Sequence, residues 1–434
     1  MFLAVQKDDF TPDSATRKLL EGLASLANNL YNQAVYESRQ SFFEHGRKPW
    51  KVLSYPKIYA ALKTSENAKL LHSQVAQQTM KSANEAFRGF KVLSRLWKLG
   101  ELDHEPKLPR YRSKGGLYQV VFTGQSLTVN DGMIRIPLGR GYAKEQGQDC
   151  FHVPLPDRLA NVQIRELRFI PTNGQWVIEY VHESMETPAL SCLLQPERVL
   201  ALDPGVNNLL TGVTNTGEAF VMDGRSIKAE NQGWNRLVSR LKSILTKGKE
   251  STKGITSKQI QRLTHNRNNF MRDAVNKAAR WVIDFCQQNQ IDTIVYGRNK
   301  RQRESINIGR KNTQEFVQIP HYKLFSRIQQ LCLVHGIRLI ETEESYTSQA
   351  SFLDHDLLPV FGEKPEGWKA SGKRVKRGLY RTAQGWLINA DGNGAANIMR
   401  KVSTKLGINL SGVGRGAVAA PSKVKLTPAG FSLT

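Results

Sequence analysis

The period of the apolar positions changes repeatedly along this chain, and each change marks a boundary. Met1 to Gln6 alternates as a strand does. From Asp13 the recurrence shifts to threes and fours, with Leu19, Leu20, Leu23, Leu26, Ala27, Leu30, Ala34 and Val35 predicting a long helix behind an Asp or Ser cap. Pro56 opens a shorter helix, and Ser73 to Leu99 reads as a second long one. Strand-like alternation then returns in Leu117 to Phe122, Ser126 to Asn130, Gly132 to Pro137, Cys150 to Pro154 and Val162 to Glu183. The turns Asn130-Asp131-Gly132 and Thr172-Asn173-Gly174 punctuate them. Together with the opening strand these runs predict a small β-barrel, residues 1–10 and 103–190, split by an all-helical lobe at residues 11–102. A boundary falls near Glu186 to Glu197.

The second half has a different rhythm. Val199 to Leu202, Leu209 to Val213 and Ala219 to Met222 are short apolar runs separated by Gly/Asn turns, a three-stranded meander with Asp203 at the tip of its first strand. Helical periodicity follows in Ser226 to Thr246 and Ser257 to Gln290. After it come a strand at Ile291 to Tyr296, a helix at Pro320 to Gly336, a strand at Ile337 to Glu341 and a helix at Ala390 to Val402. That succession is the order of the ribonuclease H-like fold. The fold class expected is therefore multidomain α+β, with the nuclease-type domain at 197–344 and 388–410, an insert at 345–387, and a loosely ordered basic tail at 411–434.

Charge narrows the function. Across 434 residues, 62 Lys+Arg against 38 Asp+Glu leave a formal net charge of +24, which points to a polyanion as partner. No long apolar run suggests a membrane span, and Met1 to Phe10 lacks a signal-peptide pattern, so a soluble intracellular protein is expected. Cys150, Cys192, Cys286 and Cys332 form no Cys-x-x-Cys pair, which argues against a zinc ribbon and a disulfide framework. Two segments interleave cations with aromatics. Pro106 to Gly116 carries Lys107, Arg110, Tyr111, Arg112 and Lys114, suited to phosphates and to stacking on a base or sugar. The insert carries Lys373, Arg374, Lys376, Arg377 and Tyr380, a pattern suited to single-stranded nucleic acid. On composition alone either segment equally suits a solvated loop.

The acids supply candidate chemistry. Asp203 ends the first strand of the meander, Glu341, Glu343 and Glu344 compete at the end of a later strand, and Asp391 opens the last helix. Each alone is an ordinary turn or surface acid. Brought together they would hold two Mg2+ ions beside a scissile phosphate, where the metals activate water and stabilise the leaving oxygen. Asn393 and Asn397 sit where they would either orient substrate or a metal-bound water, or cap the helix.

Several motifs then combine: Gly297-Arg-Asn-Lys300, Ile306-Asn-Ile-Gly-Arg-Lys-Asn312, Phe316-Val-Gln-Ile-Pro-His321, Glu344-Ser-Tyr-Thr-Ser-Gln-Ala-Ser351, Arg377-Gly-Leu-Tyr380 and Ile388-Asn-Ala-Asp-Gly-Asn-Gly-Ala-Ala-Asn-Ile398. The chain resembles the transposon-encoded TnpB proteins, relatives of the type V CRISPR effectors. The resemblance implies a strand-and-barrel wedge domain with an inserted helical recognition lobe, then a RuvC nuclease domain holding a nucleic-acid-binding insert. It implies an RNA-guided DNA endonuclease of the prokaryotic cytoplasm, with a guide RNA from the transposon end, target double-stranded DNA cut beside a short adjacent motif, and Mg2+ as cofactor. Asn299 and Lys300 join the expected nucleic-acid contacts. Most relatives place the middle catalytic Glu where this chain has Gly297. In the subset with Gly-x-Asn-Lys there, the Glu before Ser-Tyr-Thr-Ser takes over, which selects Glu344 beside Asp203 and Asp391. Ser351 stands where a zinc-ribbon Cys would, so the insert is expected to fold without zinc. A nuclease-dead, RNA-guided DNA-binding regulator of the same architecture is the alternative, a transposase of the same general fold ranks lower, and the motifs leave one copy or two open.

Overall fold

The computed structural model describes residues 3–184, 197–249, 254–298 and 318–433. The chain divides into two compact units, Met1–Glu186 and Thr187–Thr434.

The N-terminal unit opens with β1 (Leu3–Phe10), then the helices α1 (Ser14–Glu44), α2 (Tyr55–Leu62), α3 (Glu66–Leu70) and α4 (Ser73–Lys98). It continues through β2 (Val120–Thr123), β3 (Thr128–Asn130), β4 (Met133–Pro137), α5 (Arg140–Gln146), β5 (Cys150–Pro154), β6 (Ile164–Thr172) and β7 (Gln175–Glu183). Asp13 caps α1, its carboxylate accepting from Thr16 N–H at 2.7 Å. Asn173 and Gly174, both at positive φ, turn β6 into β7 with the twist a two-residue hairpin favours.

The expected barrel is not closed. The strands form two separate sheets, ordered β1-β7-β6-β2 and β3-β4-β5. Closure needs a hydrogen-bonded partner on both sides of every strand, and among the described residues the short β3 to β5 pair only with one another. The apolar faces are covered by helices instead. Leu20, Leu23 and Leu30 of α1 and Val75, Met80 and Phe87 of α4 share one buried core with Phe122, Phe169 and Trp176 of the strands. Helical lobe and strands are one packing unit rather than two.

The C-terminal unit begins with the meander β8 (Val199–Pro204), β9 (Asn208–Thr214) and β10 (Ala219–Asp223), followed by α6 (Arg225–Thr246) and α7 (Lys258–Gln288). Next come β11 (Thr293–Gly297), α8 (His321–His335) and β12 (Arg338–Thr342). The insert contributes β13 (Lys373–Lys376), β14 (Leu379–Arg381) and β15 (Leu387–Asn389), and α9 (Ala390–Leu406), α10 (Arg415–Ala419), β16 (Ser422–Leu426) and β17 (Phe431–Leu433) follow. The main sheet runs β12-β11-β8-β9-β10-β16-β17, with β8, β11 and β12 mutually parallel and β9 antiparallel between β8 and β10.

Both faces of β8 are covered, which is why residues 199–202 read as an unbroken apolar run. Leu200 and Leu202 pack with Ala278 and Val282 of α7 and Ile328 of α8, whereas Val199 and Ala201 pack with Ile398 and Met399 of α9. By the period of two, Asp203 belongs to the α9 face.

The segment 411–434, expected to be loosely ordered, instead completes the sheet. β16 pairs parallel with β10, and β17 pairs antiparallel with β16. The edge of β10 offers unpaired backbone groups, and Val424 and Phe431 bury their side chains in the core beside α7.

Candidate active site

Asp203 is half-buried where β8 meets α9. A Cβ on Gly394 of α9 would stand 2.6 Å from Asp203 Oδ2, so only glycine lets the helix backbone approach this carboxylate so closely. Burial pushes the Asp203 carboxyl well above the usual carboxylate range, and the Glu344 and Asp391 charges push it further, against the opposing pull of Arg374. Asp203 therefore feels two carboxylates that are far from it in sequence.

Asp391 is placed by the first turn of α9. The Asn389 side chain caps that turn, accepting from Asp391 N–H at 3.0 Å and Gly392 N–H at 2.9 Å. Asn208, opening β9, donates to Asp391 Oδ2 at 2.6 Å, and Arg374 of β13 donates to Oδ1 at 2.8 Å.

Glu344 follows β12, and its two acidic neighbours are already engaged. Glu341 pairs with Arg298 at 2.9 Å, and Glu343 pairs with Lys401 of α9, a nearly buried cation. Glu344 Oε2 is buried and lies 3.4 Å from the point a Cβ on Gly297 would occupy. That same Cβ would stand 2.5 Å from Ile398 Cδ1. A side chain at the end of β11 would run into Ile398, with the Glu344 carboxylate in contact beside it.

The loop carrying Glu344 is pinned to α9 by the two buried asparagines. Asn393 Nδ2 donates to Ala350 O at 2.8 Å and its Oδ1 accepts from Phe352 N–H at 2.9 Å. Asn397 Nδ2 donates to Thr347 O at 2.9 Å and Ala350 O at 2.8 Å. They hold the loop rather than cap the helix, whose cap is Asn389.

Three carboxylates are hard oxygen donors of the kind Mg2+ takes, and their mutual repulsion is what a cation would relieve. Among the described residues, however, no three Asp, Glu, His or Cys side chains are grouped tightly enough to hold a metal ion as they stand. The counter-charge at the site comes from Arg374.

The expected nucleic-acid contacts divide. Lys107, Arg110 and Lys114 are exposed, and Tyr111 is exposed with the Arg39 guanidinium 5.3 Å from its ring centroid. Arg112, exposed as well, also braces the fold. Its Nε donates to Asn28 Oδ1 at 3.0 Å, its Nη2 donates to Leu117 O at 3.0 Å, and its guanidinium covers the Tyr118 ring at 4.4 Å. In the insert Lys373, Lys376 and Arg377 are exposed, while Arg374 binds Asp391. Tyr380 is fully buried, its hydroxyl donating to Gln349 O at 2.8 Å, so it cannot stack on a base. Asn299 and Lys300 lie outside the described residues, as does the stretch 306–312. Sequence reasoning missed Asn208 and Gly394, whose roles arise only from the approach of β9 and β8 to α9.

The C-terminal unit thus places acids at the end of β8, just after β12 and at the start of α9, with the insert between the last two. A family profile, OrfB_IS605, described as "Probable transposase", matches residues 182–303. The "TnpB-like protein ORF457" of Acidianus two-tailed virus is 21% identical over 427 residues, covering 90% of this chain and 84% of its own. The protein in the "Cryo-EM structure of the Cas12f1-sgRNA-target DNA complex" matches with a TM-score of 0.52 at 16% identity, over 88% of this chain and 82% of that one, a likeness of fold. These matches support the TnpB family, to which the motifs had pointed. No described helix is long and apolar enough to cross a membrane.

Proposed function

We propose that this chain is a transposon-encoded, RNA-guided DNA endonuclease that hydrolyses phosphodiester bonds at the Asp203, Glu344 and Asp391 site. The observation that carries the reading is that Asp203, approached by the backbone of α9 at Gly394, has Glu344 and Asp391 from distant stretches of the chain as its charged neighbours. Asp203, Glu344 and Asp391 would hold Mg2+, as two ions, which when bound supplies an activated water and charge stabilisation for the leaving oxygen. Asn393 and Asn397 fix the loop on which Glu344 rides, and Asn208 orients Asp391. Arg374, together with the exposed Lys373, Lys376 and Arg377, would hold the phosphate backbone beside the acids, and Lys107, Arg110, Tyr111 and Lys114 would contact nucleic acid on the other unit. Base pairing to a guide RNA from the transposon end would select the target double-stranded DNA.

Purified protein should carry one structured RNA, and with it and Mg2+ should cut DNA bearing the complementary site. Sequencing the co-purified RNA and assaying cleavage test this directly; a heterogeneous RNA population would argue against a guide. One observation favours a second reading, a binder that does not cut: Arg374 already neutralises Asp391. Guided DNA binding without cleavage across a Mg2+ titration would select it.

A further inference from the structure

The usual zinc ribbon of the family resembled would begin at the start of the insert, but Ser351 stands where its Cys would, and an insert without zinc is expected. The structure places a carboxylate at that point. Asp354 Oδ2 accepts hydrogen bonds from the Ser351 hydroxyl at 2.5 Å, the Ser371 hydroxyl at 3.3 Å and the Ala383 N–H at 2.8 Å. Beside it, Asp356 Oδ2 accepts from Ser351 N–H at 2.7 Å and Ser371 N–H at 3.0 Å. The donors come from three stretches far apart along the insert: its start, the turn leading into β13, and the turn after β14.

We propose that Asp354 and Asp356 form an anion-centred knot that cross-links the insert in place of a metal ion, and that this insert binds no zinc. The sign of the charges decides it. A zinc centre needs free lone pairs turned inward from thiolates, imidazoles or carboxylates, and the Oδ2 atoms of Asp354 and Asp356 are already taken by donors. Here the groups turned inward are N–H and O–H donors, whose partial positive charge would oppose a cation and which a carboxylate satisfies. Ser351 is fully buried, so its hydroxyl and N–H have no solvent to fall back on. The adjoining Tyr380 hydroxyl, pushed up to about 12 by burial and then by the Asp356 and Asp354 charges, reflects the same negative centre. The knot also anchors the turn into β13, the strand that carries Arg374.

The inference stands apart from whether the acid site cuts DNA, and its test needs no cleavage. Metal content and amide hydrogen exchange are measured on the full-length protein, with and without a zinc chelator. Wild type should hold no stoichiometric zinc, and its exchange at Ser351, Ser371 and Ala383 should be unchanged by the chelator. Asp354→Ala should exchange at Ala383 about tenfold faster or more, the loss expected of a charge-assisted hydrogen bond. Should that variant fail to fold, Asp354→Asn, which keeps an acceptor oxygen but not the charge, should give a smaller acceleration at the same amide. About one zinc per chain in wild type, with chelation accelerating exchange at these amides, would overturn the proposal. So would unchanged exchange at Ala383 in a folded Asp354→Ala protein.

Discussion

Two clusters of carboxylates in the C-terminal unit are built on opposite principles. Around Asp354 and Asp356 each neighbour is a donor, so the negative charge is satisfied and the cluster ties chain to chain. Around Asp203 the strongest influences are burial and two further carboxylates, with Arg374 the opposing charge among the described residues. The contrast teaches how to tell structure from function among buried acids. A carboxylate surrounded by donors ties the chain together, whereas carboxylates brought near one another from β8, the loop after β12 and α9 are the pattern expected of a functional site.

The largest effect expected from breaking that contrast is at the repelling cluster. Asp203→Ala, Glu344→Ala or Asp391→Ala should each lower cleavage by at least about a hundredfold while leaving RNA co-purification and DNA binding intact, because metal ligation and phosphate contact are separate terms. Normal cutting by Glu344→Ala would transfer the middle role to another acid. Gly394→Ala should come next. Its new methyl displaces the Asp203 carboxylate from 2.6 Å, so the fold should survive with cleavage reduced about tenfold, read as a loss of kcat at unchanged melting temperature.

A third prediction follows from the direction of the Asp203 shift. Because the folded chain raises this carboxyl, the metal-free fold binds more protons than the unfolded chain. Its stability should therefore fall as pH rises from about 4 through the raised folded value. Asp203→Asn should flatten that part of the profile; a wild-type stability that climbs over the window relative to the variant would sink the account. The smallest effect is at Arg374. Removing this partly exposed pair with Arg374→Ala should cost about 0.2–1 kcal/mol without divalent cation. The variant should gain more in melting temperature from Mg2+ than wild type does, and an equal gain would show that Arg374 does not stand in for the cation.

Much of the scaffold was legible in the chain. The helix expected over Ser257 to Gln290 forms as α7 (Lys258–Gln288), and the order of elements in the C-terminal unit follows the apolar rhythm. The insert's strands escaped notice because β13 is exposed along its whole length and carries no alternation to read. The tail escaped because its place is set by a distant partner, the edge of β10.

At the acid site, the sequence by itself determined which carboxylates end the apolar runs and begin the last helix, since local period and capping are properties of neighbouring residues. The tertiary structure adds the surroundings of the candidates for the middle place: Glu341 and Glu343 pair with Arg298 and Lys401, while the Glu344 carboxylate lies beside Gly297. It alone decided that Tyr380 serves the fold, that the N-terminal strands form two separate sheets, and that a carboxylate knot fastens the insert. Charge pairing, close approach and strand partnership are contacts between residues remote along the chain, and no local pattern encodes them.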